Sequence, residues 1–213
     1  MGTKNQDKKK QKFDSLLKSA FRQFTEKGFS KTTIADIAKD AGVAKGTFYL
    51  YFKDKYDLRS MLIQHEATKL FENAYTELEA REQDRMRKEK EQYKRISAED
   101  AVSFMMFHAL DELASNPRLL IFLNKNLSWG IFKNVVLDPK EESEQDFQKR
   151  FRDILLETEA EYKNPDIALF MIVELVGSAG YSAIMYEDPV NLEELKPYLS
   201  RQIHNIMEDM KIK

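Results

Sequence analysis

Apolar residues recur at steps of three and four along most of this chain, and this spacing constrains its fold more than any other feature. One stripe lies within residues 8–27, and another runs from Leu192 to Met210. Residues three and four apart share one face of an α-helix, so each stripe predicts an amphipathic helix. The 213 residues include only 7 Gly and 5 Pro, and no segment reads convincingly as a β-strand. We therefore predict an all-α protein.

Residues 32–55, TTIADIAKDAGVAKGTFYLYFKDK, contain two short helical segments separated by a glycine. Thr32 or Thr33 can cap the first segment, because a hydroxyl there accepts a hydrogen bond from an otherwise unpaired backbone N–H. Gly42 ends this segment, since glycine readily adopts the left-handed conformation. The second segment is predicted to cover about residues 44–51. Two short helices joined by a tight turn form a helix-turn-helix.

The side chains of the second segment divide into an inner and an outer set. Phe48 and Phe52 are four residues apart and apolar, so we expect them to pack inward. A recognition helix enters the major groove of DNA with its first turn, and polar or aromatic side chains there suit phosphates and base edges. Gly46 has no side chain, so its N–H can approach a phosphate. The predicted DNA contacts of this segment are Lys45, Gly46, Thr47, Tyr49 and Tyr51.

The charges are divided unevenly along the chain. Residues 1–60 carry 14 Lys and Arg against 7 Asp and Glu, whereas the remainder carries 20 against 29. A basic first segment suggests a polyanionic partner, although a lysine-rich tail that only aids solubility explains the count equally well. Residues 76–95 are almost wholly charged and helix-favouring, and we interpret them as a solvated helix end.

The residues that could support catalysis form no catalytic or metal-binding pattern. The chain has no cysteine, and its three histidines, His65, His108 and His204, lack metal-ligand spacing. The segment GVAKGT lacks the spacing of a phosphate-binding loop. We predict that the protein is not an enzyme and uses no cofactor or metal. Its polar, lysine-rich start lacks the apolar core of a signal sequence, so we expect a cytoplasmic protein.

Residues 24–58, FTEKGFSKTTIADIAKDAGVAKGTFYLYFKDKYDL, resemble the DNA-binding segment of the TetR family of bacterial transcriptional regulators. The motifs that carry the resemblance are, in chain order, Gly28-Phe29, Thr32-Thr33, Ile37-Ala38, Ala41-Gly42-Val43, Lys45-Gly46-Thr47-Phe48-Tyr49, Phe52 and Lys55. The resemblance covers about residues 8–60. It implies a helix-turn-helix domain in residues 1–53 and a larger helical domain for ligand binding and dimerisation in residues 54–213. The DNA contacts that it implies are Thr33, Lys45, Gly46, Tyr49, Tyr51 and Lys55, with Ala35 near the bases.

Two positions depart from the pattern of the family. Ala44 stands where a serine is common, so a hydroxyl that could cap the helix or touch a phosphate is absent. Leu50 stands where a larger polar or aromatic residue is common. We expect Leu50 to contact a thymine methyl group.

The resemblance implies a repressor that binds a near-palindromic operator in double-stranded DNA as a homodimer and is released by a small-molecule inducer. Two recognition helices about 34 Å apart would then bind half-sites one helical turn apart. Two alternatives stay open. One is a ligand-independent DNA-binding regulator or activator, and the other is a helical ligand-binding protein without a DNA role.

Residues 167–186, IALFMIVELVGSAGYSAIMY, form a 20-residue apolar stretch with a single charge, Glu174. This length can span a bilayer, but a carboxylate near the centre is costly there. A helix that is apolar on all sides is otherwise buried on several sides. We therefore predict a dimer interface formed with the helix of residues 192–210, and no membrane partner. The predicted interface residues are Ile167, Gly177, Gly180, Leu195, Leu199, Ile203 and Ile206.

The larger domain is rich in aromatic residues with a few polar side chains among them. This composition fits an apolar ligand cavity in which polar groups orient the ligand, with a buried Glu174 meeting a cation or a hydroxyl. Ordinary core packing explains each of these residues as well. The predicted ligand-binding residues are Phe104, His108, Phe122, Trp129, Phe170, Glu174 and Tyr181. The inducer itself is not identified by the sequence.

Overall fold

A computed structural model describes residues 3–126, 154 and 161–212. These residues form helices and turns, with one isolated antiparallel bridge between Tyr162 and Lys211, so the predicted all-α class is confirmed. A short 3-10 helix, Lys90–Gln92, follows α4. The α-helices in the described part of the chain are α1 (Thr3–Glu26), α2 (Ile34–Asp40), α3 (Lys45–Phe48), α4 (Lys55–Glu89), α5 (Ala98–Ser115), α6 (Pro117–Asn126), α7 (Pro165–Met185) and α8 (Leu192–Asp209).

The chain divides into two compact units, Met1–Glu66 and Ala67–Lys213. The helix α4 begins in the first unit and continues into the second. The predicted domain boundary, after residue 53, lies just before α4, whereas the first compact unit extends to Glu66. The first three turns of α4 therefore belong to the N-terminal unit. The two units are therefore joined by one continuous helix.

The N-terminal unit is built around a small apolar core. The predicted inward direction of Phe48 and Phe52 is confirmed, because both side chains are almost fully buried. Their rings lie 5.4 Å apart between centroids, and Phe13 of α1 stacks on Phe52 at 5.4 Å. The other buried apolar residues of this unit are Leu16, Leu17, Ala20, Phe24, Ile37, Ala38, Leu58, Leu62 and Ile63.

Local sequence signals set several helix boundaries in the second unit. The Ser97 hydroxyl oxygen accepts a hydrogen bond from the Asp100 N–H (3.1 Å) and so caps α5. Proline is the first residue of α6 (Pro117) and of α7 (Pro165). Proline suits the first position of a helix because its missing N–H would have no partner there.

The core of the second unit is formed by α4, α5, α7 and α8. Within the described residues, α7 is the one helix long and apolar enough to cross a membrane, judged by length and composition only. It packs against α5, α6 and α8, and the residues that it buries there include Leu169, Ile172 and Val176. Packing within the chain thus accounts for one face of α7.

The charged segment of residues 76–95 is exposed at most positions, in line with its interpretation as a solvated helix end, but it contains one buried carboxylate. Glu82 is 3% exposed and accepts hydrogen bonds from Arg85 Nη1 (2.8 Å), the Tyr93 hydroxyl (3.0 Å) and the Ile96 N–H (3.0 Å). Burial raises the pKa of Glu82, but these hydrogen bonds outweigh it and hold the pKa below its ordinary value. Glu82 thereby ties the end of α4 to the start of α5.

Candidate DNA-binding interface

The helix α2 is bounded by a side-chain cap at its start and by a glycine just after its end. The Thr33 hydroxyl oxygen accepts from the Asp36 N–H, and Asp36 Oδ2 accepts from the Thr33 N–H, both at 3.1 Å. The hydrogen bond that the Thr33 hydroxyl donates to Asp36 Oδ2, followed by the one from the Thr33 N–H, lowers the pKa of Asp36. After α2, Gly42 has a φ of 68°, and the Val43 N–H donates to the Ala38 carbonyl at 2.9 Å. The backbone direction into α3 is therefore fixed by local hydrogen bonds.

Contacts from α1 hold α2 in place. The buried Ser19 hydroxyl lies 2.9 Å from the Ile37 carbonyl oxygen and 2.7 Å from Asp40 Oδ2. Arg22 forms an ion pair with the same Asp40 carboxylate. The hydrogen bond from Ser19, followed by that from Arg22, holds the pKa of Asp40 below its ordinary value. The position of the helix-turn-helix on α1 thus depends on polar contacts as well as on the apolar core.

The helix α3 presents its outer side chains to solvent. Its four-residue helix is shorter than the predicted one, and turns continue to Tyr51. Lys45 and Gly46 are exposed, and Thr47 is half-buried. Tyr49 is 52% exposed and Leu50 is 78% exposed. The structure therefore brings five predicted contact residues onto one stretch, from Lys45 to Leu50, around the buried Phe48.

Two other predicted contacts have their polar atoms engaged within the chain. The half-buried Tyr51 donates its hydroxyl hydrogen to the Lys9 carbonyl oxygen at 3.1 Å. Lys55 Nζ donates to the carbonyl oxygens of Phe29 (2.7 Å) and Thr32 (2.8 Å). Both residues therefore hold neighbouring segments together through these hydrogen bonds, which were not predicted from the sequence.

The remaining predicted contacts, Thr33 and Ala35, lie at the surface of α2. The Thr33 hydroxyl also donates to Asp36 Oδ2 at 2.8 Å, so this group already serves as both donor and acceptor in the cap. Ala35 has an exposed methyl group. The Ala35 side chain, unlike the Thr33 hydroxyl, takes no part in the hydrogen bonds of the cap.

Exposed lysines also lie at the start of α1, where no individual site residue was predicted. Lys9 and Lys10 are exposed there, one turn before Phe13. The Phe13 ring lies 6.0 Å from that of Tyr51, between centroids. The sequence signal was the spacing of three and four residues between these lysines and Phe13, which places all three on one side of the helix.

The residues predicted for a dimer interface fall into two groups. Ile167 is 49% exposed, Gly177 is exposed, and Leu195 and Ile206 are half-buried. The apolar residues Met171 (42% exposed) and Tyr198 are also exposed, on α7 and α8 respectively, and were not among the predicted interface residues. These exposed residues remain available to a second copy of the chain.

The other three predicted interface residues are covered by the chain itself, so their selection as contact residues is corrected. Leu199 and Ile203 are buried in the core of the second unit. A Cβ atom at Gly180 would lie 2.4 Å from Leu110 Cδ2, so this glycine allows α7 to approach α5 closely. The apolar stripe of α8 thus covers its own subunit first.

Apart from Trp129, the predicted ligand-binding residues lie on α5, α6 and α7, which pack against one another. Phe104 and His108 are half-buried and stack with 6.1 Å between ring centroids. Phe122 is buried, and Phe170 and Tyr181 are half-buried. Glu174 is exposed on α7, so the expectation of a buried carboxylate was wrong for the single chain. Trp129 lies outside the described residues.

The described residues, 3–126, 154 and 161–212, contain no group of three or more His, Asp or Glu side chains that could hold a metal ion. The chemistry of the exposed stretch from Lys45 to Leu50 is instead that of a binding surface, with an ammonium group, hydroxyls and apolar side chains. Such groups contact phosphates and base edges of DNA.

Comparison with known proteins supports this interpretation of the N-terminal unit. Residues 16–60 match the family described as "Bacterial regulatory proteins, tetR family". The HTH-type transcriptional regulator YvdT of Bacillus subtilis is 50% identical over 44 residues, which are 21% of this chain and 23% of YvdT. The matched segment therefore spans less than a quarter of this curated relative.

Solved structures resemble the fold over nearly the whole chain. A TetR transcriptional regulator from Rhodococcus sp. RHA1 has a TM-score of 0.60 and 21% identity, over 94% of this chain and 97% of that one. FadR from Bacillus subtilis, solved with stearoyl-CoA, has a TM-score of 0.54 and 18% identity, over 90% and 97%. At these identities the likeness concerns the fold alone.

Proposed function

From the premise that residues 16–60 form a DNA-binding domain of the bacterial tetR family, we propose that the protein is a transcriptional repressor. It binds a near-palindromic operator as a homodimer and leaves the DNA when a small molecule binds the second unit. The protein regulates transcription in the cytoplasm and catalyses no reaction. Each subunit of the dimer reads one half-site.

The observation that carries this proposal is the exposure of Tyr49 and Leu50 beside the buried Phe48. Adjacent exposed apolar side chains that are bordered by polar residues are typical of an interaction surface. The Tyr49 hydroxyl can donate to a phosphate, and the Leu50 methyl groups can contact a thymine methyl group. Lys45 adds a positive charge beside them, as a polyanionic partner requires.

The remaining predicted contacts receive roles according to their surroundings. Gly46 and Thr47 border the exposed residues of α3 and face the DNA backbone in the proposal. Ala35 lies near the bases, whereas Thr33 acts chiefly as the cap of α2. Tyr51 and Lys55 act as positioning residues, since their polar atoms bond within the chain. Binding affinity thus depends both on exposed side chains and on the residues that orient them.

The exposed apolar residues of α7 and α8 supply the dimer interface in this proposal. Ile167 and Met171 lie four residues apart on α7, and Tyr198 is exposed on α8. Burying such side chains against a second copy stabilises the dimer by about 25 cal/mol per Å² of apolar surface. The predicted residues that stay in the proposed interface are Ile167, Gly177, Leu195 and Ile206. Met171 and Tyr198 are added to them, and the buried Gly180, Leu199 and Ile203 are left out.

The inducer is proposed to bind within the second unit near the stacked Phe104 and His108. Aromatic walls with a few polar groups are typical of sites for apolar small molecules. Stearoyl-CoA, the ligand present in the structure of FadR from Bacillus subtilis, is a suitable first compound to test. A ligand lowers operator affinity only if it binds the DNA-incompetent state more tightly.

The test is a selection of duplexes from fragmented DNA of the host organism by the purified full-length protein. We expect recovered fragments to share a near-palindromic sequence, with one dimer protecting both half-sites. Failure to enrich any sequence at low salt would contradict the proposal. Operator affinity that no compound changes, across a panel that includes stearoyl-CoA, would favour the ligand-independent regulator.

A further inference from the structure

The first three turns of α1 carry a cluster of lysines that the proposed recognition helix does not use. Lys8, Lys9, Lys10 and Lys12 are all exposed. Within the described part of the chain, none of them forms an ion pair with an acidic side chain. Like charges this close together on one helix turn repel one another, so the segment favours an anionic partner.

The start of α1 contacts the residues that directly follow α3. The Tyr51 hydroxyl donates to the Lys9 carbonyl oxygen at 3.1 Å, and the Tyr51 ring lies 6.0 Å from the Phe13 ring. Phe13 also stacks on the buried Phe52 at 5.4 Å. The start of α1 is therefore held against the segment that carries Tyr49 and Leu50.

Helix geometry then selects two of the lysines. At about 100° per residue, Lys9 lies about 40° from Phe13 around the helix axis and Lys10 about 60° to the other side. Lys8 and Lys18 each lie about 140° away from Phe13 by the same rule. Lys9 and Lys10 are thus on the side of α1 that faces Tyr51, whereas Lys8 and Lys18 are on the far side.

We infer that Lys9 and Lys10 bind DNA phosphates next to the half-site read by α3, with Tyr51 as the residue that positions them. This inference rests on the proposed function, because the partner is the same duplex. Lysine contacts to the phosphate backbone add affinity without regard to base sequence. The basic start of α1 is then a second, sequence-independent part of the DNA-binding surface.

The test compares two double variants with equal charge change, Lys9→Gln/Lys10→Gln and Lys8→Gln/Lys18→Gln. Glutamine has a helix propensity close to that of lysine, so α1 is retained. Affinity for the selected operator and for a scrambled duplex of equal length is measured across a range of salt concentrations. Each lost phosphate contact should lower the magnitude of the slope of log K against log salt by about 0.9, which gives about 1.8 for the two lysines of one subunit and about 3.6 for the bound dimer.

We expect this decrease for Lys9→Gln/Lys10→Gln on both duplexes and a much smaller one for Lys8→Gln/Lys18→Gln. Equal slopes for the two double variants would overturn the inference, because the effect would then be one of net charge alone. A wild-type protein that binds neither duplex at low salt would instead overturn the proposed function, and the inference with it.

Tyr51→Phe tests the positioning role separately, because it keeps the ring on Phe13 and removes the hydrogen bond to the Lys9 carbonyl. We expect a salt slope between those of the wild type and the Lys9→Gln/Lys10→Gln variant. We also expect the lysine substitutions to have a smaller effect in the Tyr51→Phe background. A slope equal to that of the wild type would overturn the part assigned to Tyr51.

Discussion

The Lys55 ammonium group lies 4.4 Å from the centre of the Phe29 ring and donates a hydrogen bond to the Phe29 carbonyl oxygen at 2.7 Å. A second hydrogen bond reaches the Thr32 carbonyl at 2.8 Å. One side chain at the start of α4 thereby fixes the loop that leads into α2. Since hydrogen bonds from charged groups and cation–π contacts both stabilise folded proteins, this lysine contributes to the fold of the N-terminal unit.

Replacement of Lys55 by methionine should therefore lower the free energy of unfolding by about 2 kcal/mol, because the carbonyl oxygens lose a charged donor. Operator affinity should fall as the loop loosens, but the salt dependence of binding should stay as in the wild type. Urea denaturation and a salt titration of DNA binding measure the two effects. A salt slope lower by about 0.9 per subunit, with unchanged stability, would instead identify Lys55 as a phosphate contact.

Removal of the Tyr49 side chain should weaken operator binding without unfolding the protein. The ring is half exposed and meets Phe48 edge-on at 5.4 Å, so Tyr49→Ala should cost about 1 kcal/mol of stability or less. Affinity for the operator should fall about tenfold or more at matched salt. Tyr56→Ala, at another exposed tyrosine of the same unit, is the control. Affinity within about twofold of the wild type for Tyr49→Ala would reject the contact.

Leu50 should influence which base is preferred more than how tightly DNA is bound. Truncation to alanine removes the methyl groups proposed to contact a thymine methyl group, and a good base contact is worth about 1–3 kcal/mol at most. We expect Leu50→Ala to relax the preference at one base-pair position in each half-site. Sequencing of duplexes selected by the wild type and by the variant measures this change. An unaltered preference at every position would contradict the assignment.

The local features of the helix-turn-helix were predictable because their signals are local in sequence. The cap at Thr33 and the positive φ of Gly42 depend on residues within a few positions, and Phe48 is buried as its spacing from Phe52 indicates. The bonds of Lys55 and Tyr51 were not predictable, since their acceptors lie 26 and 42 positions away along the chain. A sequence shows that such a side chain has a donor, and only the fold shows where it points.

The second unit was harder to predict for a different reason. An apolar stripe such as the one containing Leu199 and Ile203 indicates that a helix face is covered, but not whether the same chain or a partner covers it. In the structure the subunit's own core covers both residues. Glu174 shows the converse, because an apolar neighbourhood in sequence suggested burial and the side chain is exposed.

The dimer interface can be tested by contrasting an exposed and a buried residue. Met171→Glu places a charge on the exposed face of α7, so it should shift the protein from dimer to monomer while the fold is retained. Leu199→Ala leaves a cavity in the core and should lower the free energy of unfolding by about 2–4 kcal/mol. Sedimentation and thermal denaturation separate the two effects. A Met171→Glu protein that stays dimeric at micromolar concentration would exclude this face of α7 from the interface.

The buried Glu82 should make stability depend on pH. Its folded-state pKa lies below the ordinary value of 4.5, so the stabilisation is complete above that value and is lost as the pH falls through the folded-state pKa. Glu82→Gln removes the charged acceptor of Arg85, Tyr93 and the Ile96 N–H, and we expect a loss of about 2 kcal/mol at pH 7. Urea denaturation at several pH values should show that the difference in free energy of unfolding between wild type and variant narrows below pH 4.5.

The control is Glu79→Gln, which alters the more exposed ion pair with Arg95 and should lower the free energy of unfolding by less than about 1 kcal/mol. A difference between wild type and Glu82→Gln that stays constant down to acid unfolding would mean that Glu82 is not the titrating group.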